Sequence, residues 1–350
     1  MVRRVAFAVP GDLATPTGGY AYDRRIIAEL RSLGWHVDVV DLGEGFPRPS
    51  MGTRSMAEAL LAALPAGCRI VIDGLALGVL ADVASQLRTT HSLIALVHHP
   101  LALEPGLSVA EAENLRTSEC AALAAAHRVI VTSHSTARLL AADYEVPADR
   151  ITVACPGSDP ARIAHGSRDG IVRLLSVGAV VPRKGFDVLI EALATLKDLP
   201  WQLTIAGDRG RNPGTAARLD ADIARHGLDE RIAVLGAVPD NQIAGLYTEA
   251  DLFVLASRYE GYGMAFAEAI AHGLPVVGTT AGAIPETVPA GAGVLVPPDD
   301  AGALAAALRR IIEHPDERQR LAAAARATAG QLPTWRDSAK LFSNAIEAAA

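Results

Sequence analysis

The sequence predicts an α/β protein built from two Rossmann-like, doubly wound domains that face a central cleft. Three observations carry this. Short β-branched segments alternate with helical ones almost from end to end, the pattern of parallel sheets covered by helices. The alternation pauses after Cys155-Pro-Gly-Ser-Asp-Pro160, where residues 161–170 are polar and hold two glycines, and restarts at Arg173. A length of 350 residues, half of them apolar, supplies material for two cores. One large open sheet is the alternative reading, and the linker with its restart favours two domains. Their boundaries are placed at 1–160 and 161–332, with 333–350 as a terminal helix returning to the first.

The elements follow in order. Val5–Val9 reads as a strand, then a Gly/Pro/Thr loop, then a helix over Tyr20–Ser32. His36–Leu42 is a strand, Ser55–Leu64 a helix, and Arg69–Ile72 a strand. Leu75–Leu87 reads as one helix, Ser92–Val97 as a strand, and Val109–Ala126 as a long alanine-rich helix. Arg128–Thr132 and Ile151–Ala154 are strands around a further short helix. In the second domain the strands are Arg173–Val177, Trp201–Ala206, Ile232–Leu235, Leu252–Ala256 and Pro275–Gly278, with helices between them.

Composition narrows the function classes. A formal net charge of −7 argues against an overall nucleic-acid footprint. No apolar run approaches the roughly 18–20 residues that span a bilayer. Met1-Val-Arg-Arg4 runs directly into a strand without a leader pattern. The three cysteines, Cys68, Cys120 and Cys155, are odd in number and far apart, as reduced thiols in a cytoplasmic protein would be. No C-x-x-C or H-E-x-x-H occurs, and no metal site is expected. The alanine-, arginine- and aspartate-rich composition points to a bacterium with GC-rich DNA.

Four segments carry candidate chemistry. Glu260 and Glu268 stand with seven residues between them in Ser257-Arg-Tyr-Glu-Gly-Tyr-Gly-Met-Ala-Phe-Ala-Glu268, after the apolar run that opens at Asp251. The first acid follows a strand and the second enters a helix, where α/β proteins hold phosphorylated ligands. A carboxylate such as Glu268 suits a ribose diol because, when ionised, it only accepts hydrogen bonds. Arg183 and Lys184 lie between a strand and a helix, where two cations and a helix N-terminus can neutralise a diphosphate; in isolation they read equally as solvated charges. Gly18 and Gly19, before Tyr20, lie in the first strand-to-helix loop, where glycines allow close backbone approach. His98 and His99 close the strand Leu93–Val97, where a side chain points into a ligand crevice.

This set resembles the retaining glycosyltransferases of family 4 (glycosyl transferases group 1), which have the GT-B architecture. The match is strongest from Val177 to Glu286 and looser in the first domain. Further matching strings are Gly207-Asp208, Gly236-Ala-Val-Pro-Asp240 and Ala281-Gly-Ala-Ile-Pro-Glu286. The resemblance implies a hexosyltransferase using a nucleotide-diphosphate-sugar, with no cofactor and no metal. It implies catalytic roles for His98, Arg183, Lys184 and Glu260. It implies donor contacts from Gly18, Gly19, Arg183, Lys184, Ala237, Val238, Glu260, Gly261, Tyr262, Gly263, Met264, Ala265 and Glu268. His99 and Tyr20 are acceptor candidates, and the acceptor is a glycan, a lipid or a small molecule. Peripheral membrane contact stays open because Arg24, Arg25 and Arg31 share one helix.

Three other readings compete. A GT-B-shaped nucleotide-sugar 2-epimerase is disfavoured by the Glu260/Glu268 arrangement. A dinucleotide oxidoreductase lacks its glycine fingerprint. A non-catalytic nucleotide- or carbohydrate-binding module is disfavoured by the intact set of cations and glutamates.

Overall fold

The computed structural model describes residues 3–349; Met1 and Val2, part of the reading of the N-terminus, and Ala350 at the end of the terminal segment lie outside them. The chain divides into two compact units: one runs to Gly157 and resumes at Pro333, the other is Ser158–Leu332.

The first unit opens with β1 (Arg4–Val9), α1 (Gly18–Ser32), β2 (His36–Asp41) and α2 (Met51–Ala62). It continues through β3 (Arg69–Asp73), α3 (Gly74–Leu77), α4 (Ala81–Leu87), β4 (Ser92–Val97) and α5 (Val109–Ala125). β5 (Arg128–Val131), α6 (His134–Asp143) and β6 (Ile151–Val153) complete its sheet. The six strands are parallel, in the order β2-β1-β3-β4-β5-β6. Apart from their first residues, β3, β4 and β5 are buried throughout, as expected of parallel strands covered on both faces.

The second unit contains β7 (Val172–Val177), α7 (Phe186–Ala194), β8 (Trp201–Ala206), α8 (Pro213–Arg225) and β9 (Ile232–Gly236). Next come α9 (Asp240–Glu249), β10 (Leu252–Val254), α10 (Met264–Ala271), β11 (Val276–Thr279) and α11 (Ile284–Thr287). β12 (Gly293–Val296), α12 (Ala301–Glu313) and α13 (Pro315–Ala329) close it. Its parallel sheet runs β12-β11-β10-β7-β8-β9. Among the described residues, no helix is long and apolar enough to cross a membrane.

Three local differences from the sequence reading have physical causes. Thr17 caps α1 by accepting from Tyr20 N, so Gly18 and Gly19 form its first turn instead of a loop. The single helix expected over Leu75–Leu87 is two. Asp73 caps α3 through Leu75 N, and the turn after it crowds α5: a Cβ on Gly78 would lie 2.8 Å from both Glu119 Cγ and Leu101 Cδ1. The four-residue β12 was missed, because so short an apolar run carries no period of its own.

After Pro333 the chain re-enters the first unit as α14 (Trp335–Glu347). Phe342 stacks on Phe7 with ring centroids 6.0 Å apart, and Trp35 Nε1 donates to Ser343 Oγ at 2.9 Å. Phe342, Ala339 and Ile346 are fully buried. Truncating Phe342 to Ala removes most of one ring from this contact and leaves a cavity. We expect it to lower the stability of the first unit by about 3–5 kcal/mol. Urea unfolding followed by tryptophan fluorescence checks this; a loss under about 1 kcal/mol would mean that α14 is only loosely attached.

Candidate functional site

In an open parallel sheet, ligands bind beyond the C-terminal ends of the strands where the strand order reverses. In the second sheet the reversal falls between β7 and β10, because the chain moves outward from β7 to β9 and then returns to β7's other side. The loops after these two strands carry Arg183, Lys184 and Glu260. Lys184 Nζ donates to Glu260 Oε1 at 2.6 Å, and Arg183 Nη1 donates to Glu260 Oε2 at 3.2 Å and to Tyr259 O at 2.9 Å. Ser257 Oγ donates to the same Oε1 at 2.7 Å. Glu260 is only 6% exposed.

Local backbone geometry sets the two cations in place. Pro182–Lys184 form one 3-10 turn, and Gly185 follows in the left-handed region with φ 64°. A Cβ there would lie 2.0 Å from Ala256 O, so only glycine lets the turn close against the end of β10. Arg258 clamps the turn from the other side. Its N–H donates to Arg183 O at 2.8 Å, its guanidinium donates to Pro182 O, and it pairs with Asp187 and Asp299. The N-termini of α7 and α10 carry no side-chain cap. Their helix-dipole positive ends stand beside the loop that carries the two cations and the loop that carries Glu260.

Titration behaviour follows from this packing. Burial would raise the Glu260 carboxyl, but the Lys184 and Arg183 charges and the hydrogen bonds from Lys184 and Ser257 hold it down to about 2. Burial lowers Lys184, the Arg183 charge lowers it further, and Glu260 only partly offsets this. The contact therefore acts unequally on its two partners. Charge count explains why: the carboxylate has several donors, whereas the lysine shares one buried anion with a second cation. A polyanion arriving at this point would relieve the imbalance.

Glu268 lies one turn into α10 and accepts from the hydroxyl of Tyr247 at 2.9 Å. Tyr247 is fully buried and stacks on His272 with centroids 5.0 Å apart. Gly261, Tyr262 and Gly263 form the turn between Glu260 and α10, and Met264 and Ala265 are that helix's first residues. Ala237 and Val238 follow β9, in the connection to α9.

In the first sheet the order reverses between β1 and β3. Gly18 and Gly19 begin α1 beyond β1, Asp73 ends β3, and His98 follows β4. A Cβ on Gly19 would sit 3.4 Å from His98 Cδ2. His98 Nε2 lies 3.2 Å from Asp23 Oδ1 and 3.4 Å from Asp73 Oδ2, within ion-pair distance of both. It is out of line for a hydrogen bond to either, so the contact is one of charge proximity. Burial opposes charge on the ring, yet the two carboxylates hold His98 above its ordinary value, and burial raises Asp23. His99 Nε2 is 3.1 Å from Glu104 Oε2, and the Tyr20 hydroxyl donates to Pro10 O.

The structure thus brings Arg183, Lys184 and Glu260 together in the second unit, and Gly19 and His98 in the first. It adds Ser257, Arg258, Tyr247, Asp23 and Asp73, which the sequence reading did not name. Two of these had signals. Asp73 ends a strand beside the order reversal. Asp23 occupies the core-facing stripe of α1, among Tyr20, Ile26, Ile27 and Leu30, where an acid is out of place.

Comparison with known proteins bears on the fold and on the second unit. Residues 158–328 match the model of the family Glycosyl transferases group 1. Over 316 residues the chain is 29% identical to an MMP alpha-(1->4)-mannosyltransferase of Mycolicibacterium hassiacum, covering 84% of this chain and 74% of that protein. It is 32% identical over 218 residues to D-inositol 3-phosphate glycosyltransferase 1 of Catenulispora acidiphila, covering 56% and 51%. Among solved structures, sucrose-phosphate synthase from Thermosynechococcus elongatus superposes with TM-score 0.82 at 22% identity, over 98% of each chain. Anabaena HepE in complex with UDP and glucose gives 0.77 at 22%, over 98% of this chain and 99% of that one. These similarities define the fold as GT-B. Within it, residues 158–328 carry a glycosyl transferases group 1 domain.

The buried cluster makes a prediction about pH. The Glu260 pKa is lower in the folded state than its ordinary value of 4.5, so its contribution is complete above pH 4.5 and is lost as pH falls toward about 2. Glu260→Gln leaves two buried cations without their anion. It should cost about 3–5 kcal/mol at pH 7, with the deficit against the parent protein shrinking through that acid window. Thermal unfolding of both proteins from pH 7 to pH 3 checks this; a pH-independent difference would show that the cluster contributes packing and not charge.

Proposed function

We propose that the protein is a retaining glycosyltransferase moving a sugar from a nucleotide-diphosphate-sugar to an acceptor hydroxyl by front-face substitution. The observation that carries this is the pair of cations, Arg183 and Lys184, sharing one buried carboxylate at the strand-order reversal of the second sheet. In the reaction, the bond between the anomeric carbon and the donor's β-phosphate oxygen breaks and its electron pair leaves with the phosphate. The acceptor oxygen bonds the anomeric carbon on the same face, and its proton passes to the departing phosphate oxygen. Arg183, Lys184 and the N-terminus of α7 stabilise the charge that builds there, which is electrostatic catalysis by preorganised groups. No metal is needed for that step.

Glu260 is not the nucleophile of a double displacement, because protein donors already engage both its oxygens. Its part is to hold the cations. Glu268, fixed by Tyr247, binds the ribose hydroxyls, and Ala237 and Val238 lie near the base. The backbone of Gly261 to Ala265 serves the sugar and phosphate. In the first unit, Gly18 and Gly19 serve the donor phosphate and His98 the transferred sugar, while His99 and Tyr20 serve the acceptor. The complex of Anabaena HepE with UDP and glucose supports a nucleoside-diphosphate hexose as donor.

Arg183→Ala with Lys184→Ala should lower turnover by about 10²–10³-fold or more, because charge-assisted contacts to the leaving group vanish. Steady-state assays with a range of donors and acceptors test this. Near-wild-type turnover would overturn the assignment, and an epimerised sugar formed from donor alone would replace transfer with 2-epimerisation. Separately, Glu268→Gln should weaken nucleoside diphosphate binding by about tenfold or more. Unchanged affinity in calorimetric titration would remove the ribose role.

A further inference from the structure

Asp23, Asp73 and His98 form a compact cluster at the strand-order reversal of the first sheet. One ligand atom from each lies within 4.8 Å of the others. Asp23 is fully buried, and neither of its oxygens accepts a hydrogen bond from the protein. His98 Nε2 is likewise unpaired by hydrogen-bond geometry, though it lies 3.2 and 3.4 Å from the two carboxylates.

A buried carboxylate without a single donor is costly and needs a compensating charge. One proton on the imidazole leaves the group at −1 when both acids are ionised. A divalent cation with neutral imidazole brings it to zero. The two spacings from His98, 3.2 and 3.4 Å, agree with this: ligands at roughly 2.0–2.2 Å around one tetrahedral ion are about 3.4 Å apart. The supporting contacts are also in place. Asp73 Oδ1 is occupied by Leu75 N at 2.7 Å, which leaves Oδ2 for the cluster. Thr132 Oγ1 donates to the His98 carbonyl at 3.2 Å, and the Tyr22 ring meets the imidazole edge-on with centroids 5.4 Å apart. The contacts of Leu75 N on Asp73 and of the Tyr22 ring on the imidazole orient these two ligands, as outer contacts do in built metal sites.

We propose that Asp23, Asp73 and His98 bind a single divalent cation of the Zn²⁺ or Mn²⁺ class. Two carboxylate oxygens and one imidazole nitrogen suit these borderline ions. Three protein ligands leave at least one coordination position open. With Nε2 on the cation, the remaining ring proton stays on Nδ1, so His98 remains a hydrogen-bond donor. The proposal uses none of the Arg183–Lys184 observations and shares only His98 with the reaction proposed above.

The test is calorimetric titration of the full chain with Zn²⁺, Mn²⁺ and Mg²⁺, repeated on Asp23→Asn and Asp73→Asn. The expected result is one saturable site for Zn²⁺ or Mn²⁺, weakened by more than about 100-fold in either variant, since losing a direct ligand exceeds the 10–100-fold typical of outer-shell changes. The protein has ten histidines that can take up zinc adventitiously. Anomalous scattering from a zinc-soaked crystal locates the ion, with a peak expected among these three side chains. Because neither the soak nor the wild-type titration uses a variant, the proposal stays testable if the substituted proteins do not fold. No saturable uptake by the wild-type chain, equal affinity in the variants, or a peak elsewhere would each overturn it.

Discussion

The buried Glu260 carboxylate is the constraint on which the second unit's chemistry depends. It stands inside the protein with Lys184 and Arg183 on its two oxygens. Two cations are thereby brought to one point of the chain and held there before any ligand arrives. One anion meets their mutual repulsion and desolvation only in part, and burial beside Arg183 keeps the Lys184 ammonium below its ordinary pKa. Such a site favours a ligand that carries more than one negative charge. The same carboxylate ties the loop after β10 to the turn after β7, and Arg258 bolts that turn to Asp187 and Asp299. Charge placement and loop geometry are one device here.

Topology explains why the chemistry lies where it does. Each sheet reverses its strand order once, and at a reversal the flanking connections leave toward opposite faces, so their first residues diverge and leave a crevice. In the second unit the loops at the reversal carry Arg183, Lys184 and Glu260. In the first, α1, the end of β3 and the residue after β4 bring Asp23, Asp73 and His98 together. The surrounding strands are buried on both faces and supply the rigid frame. The loops supply the charges.

Much of this was legible in the sequence, for reasons that differ by element. Strands such as Ser92–Val97 and Trp201–Ala206 were placed to the residue because a β-branched, apolar run between polar boundaries leaves little freedom. Arg183, Lys184, Glu260 and Glu268 were singled out because they are charged residues at strand-to-helix junctions. What the sequence concealed were pairings across long separations. Nothing near Tyr247 announces that its hydroxyl meets Glu268, or near Arg258 that it reaches Asp187. The break of Leu75–Leu87 into α3 and α4 was hidden for a similar reason. It falls where Gly78 lies close against Leu101 and Glu119, and local propensity has no knowledge of those neighbours. Asp23 lay within reach, since an acid in the apolar stripe of α1 breaks the pattern that the rest of the helix keeps.

The central claim is that the second unit is built to hold a nucleoside diphosphate. The most direct measurement is the thermal stability of the full chain against a panel of nucleoside diphosphates and nucleotide-sugars, with NAD and NADP alongside. A ligand that binds only the folded protein raises its apparent stability by about 2.7 kcal/mol at a hundred times its dissociation constant. The account predicts a clear upward shift with a nucleoside diphosphate or its sugar, and none with the dinucleotides. A shift with NAD or NADP alone, or with no nucleotide at all, would contradict it and leave the fold without this function.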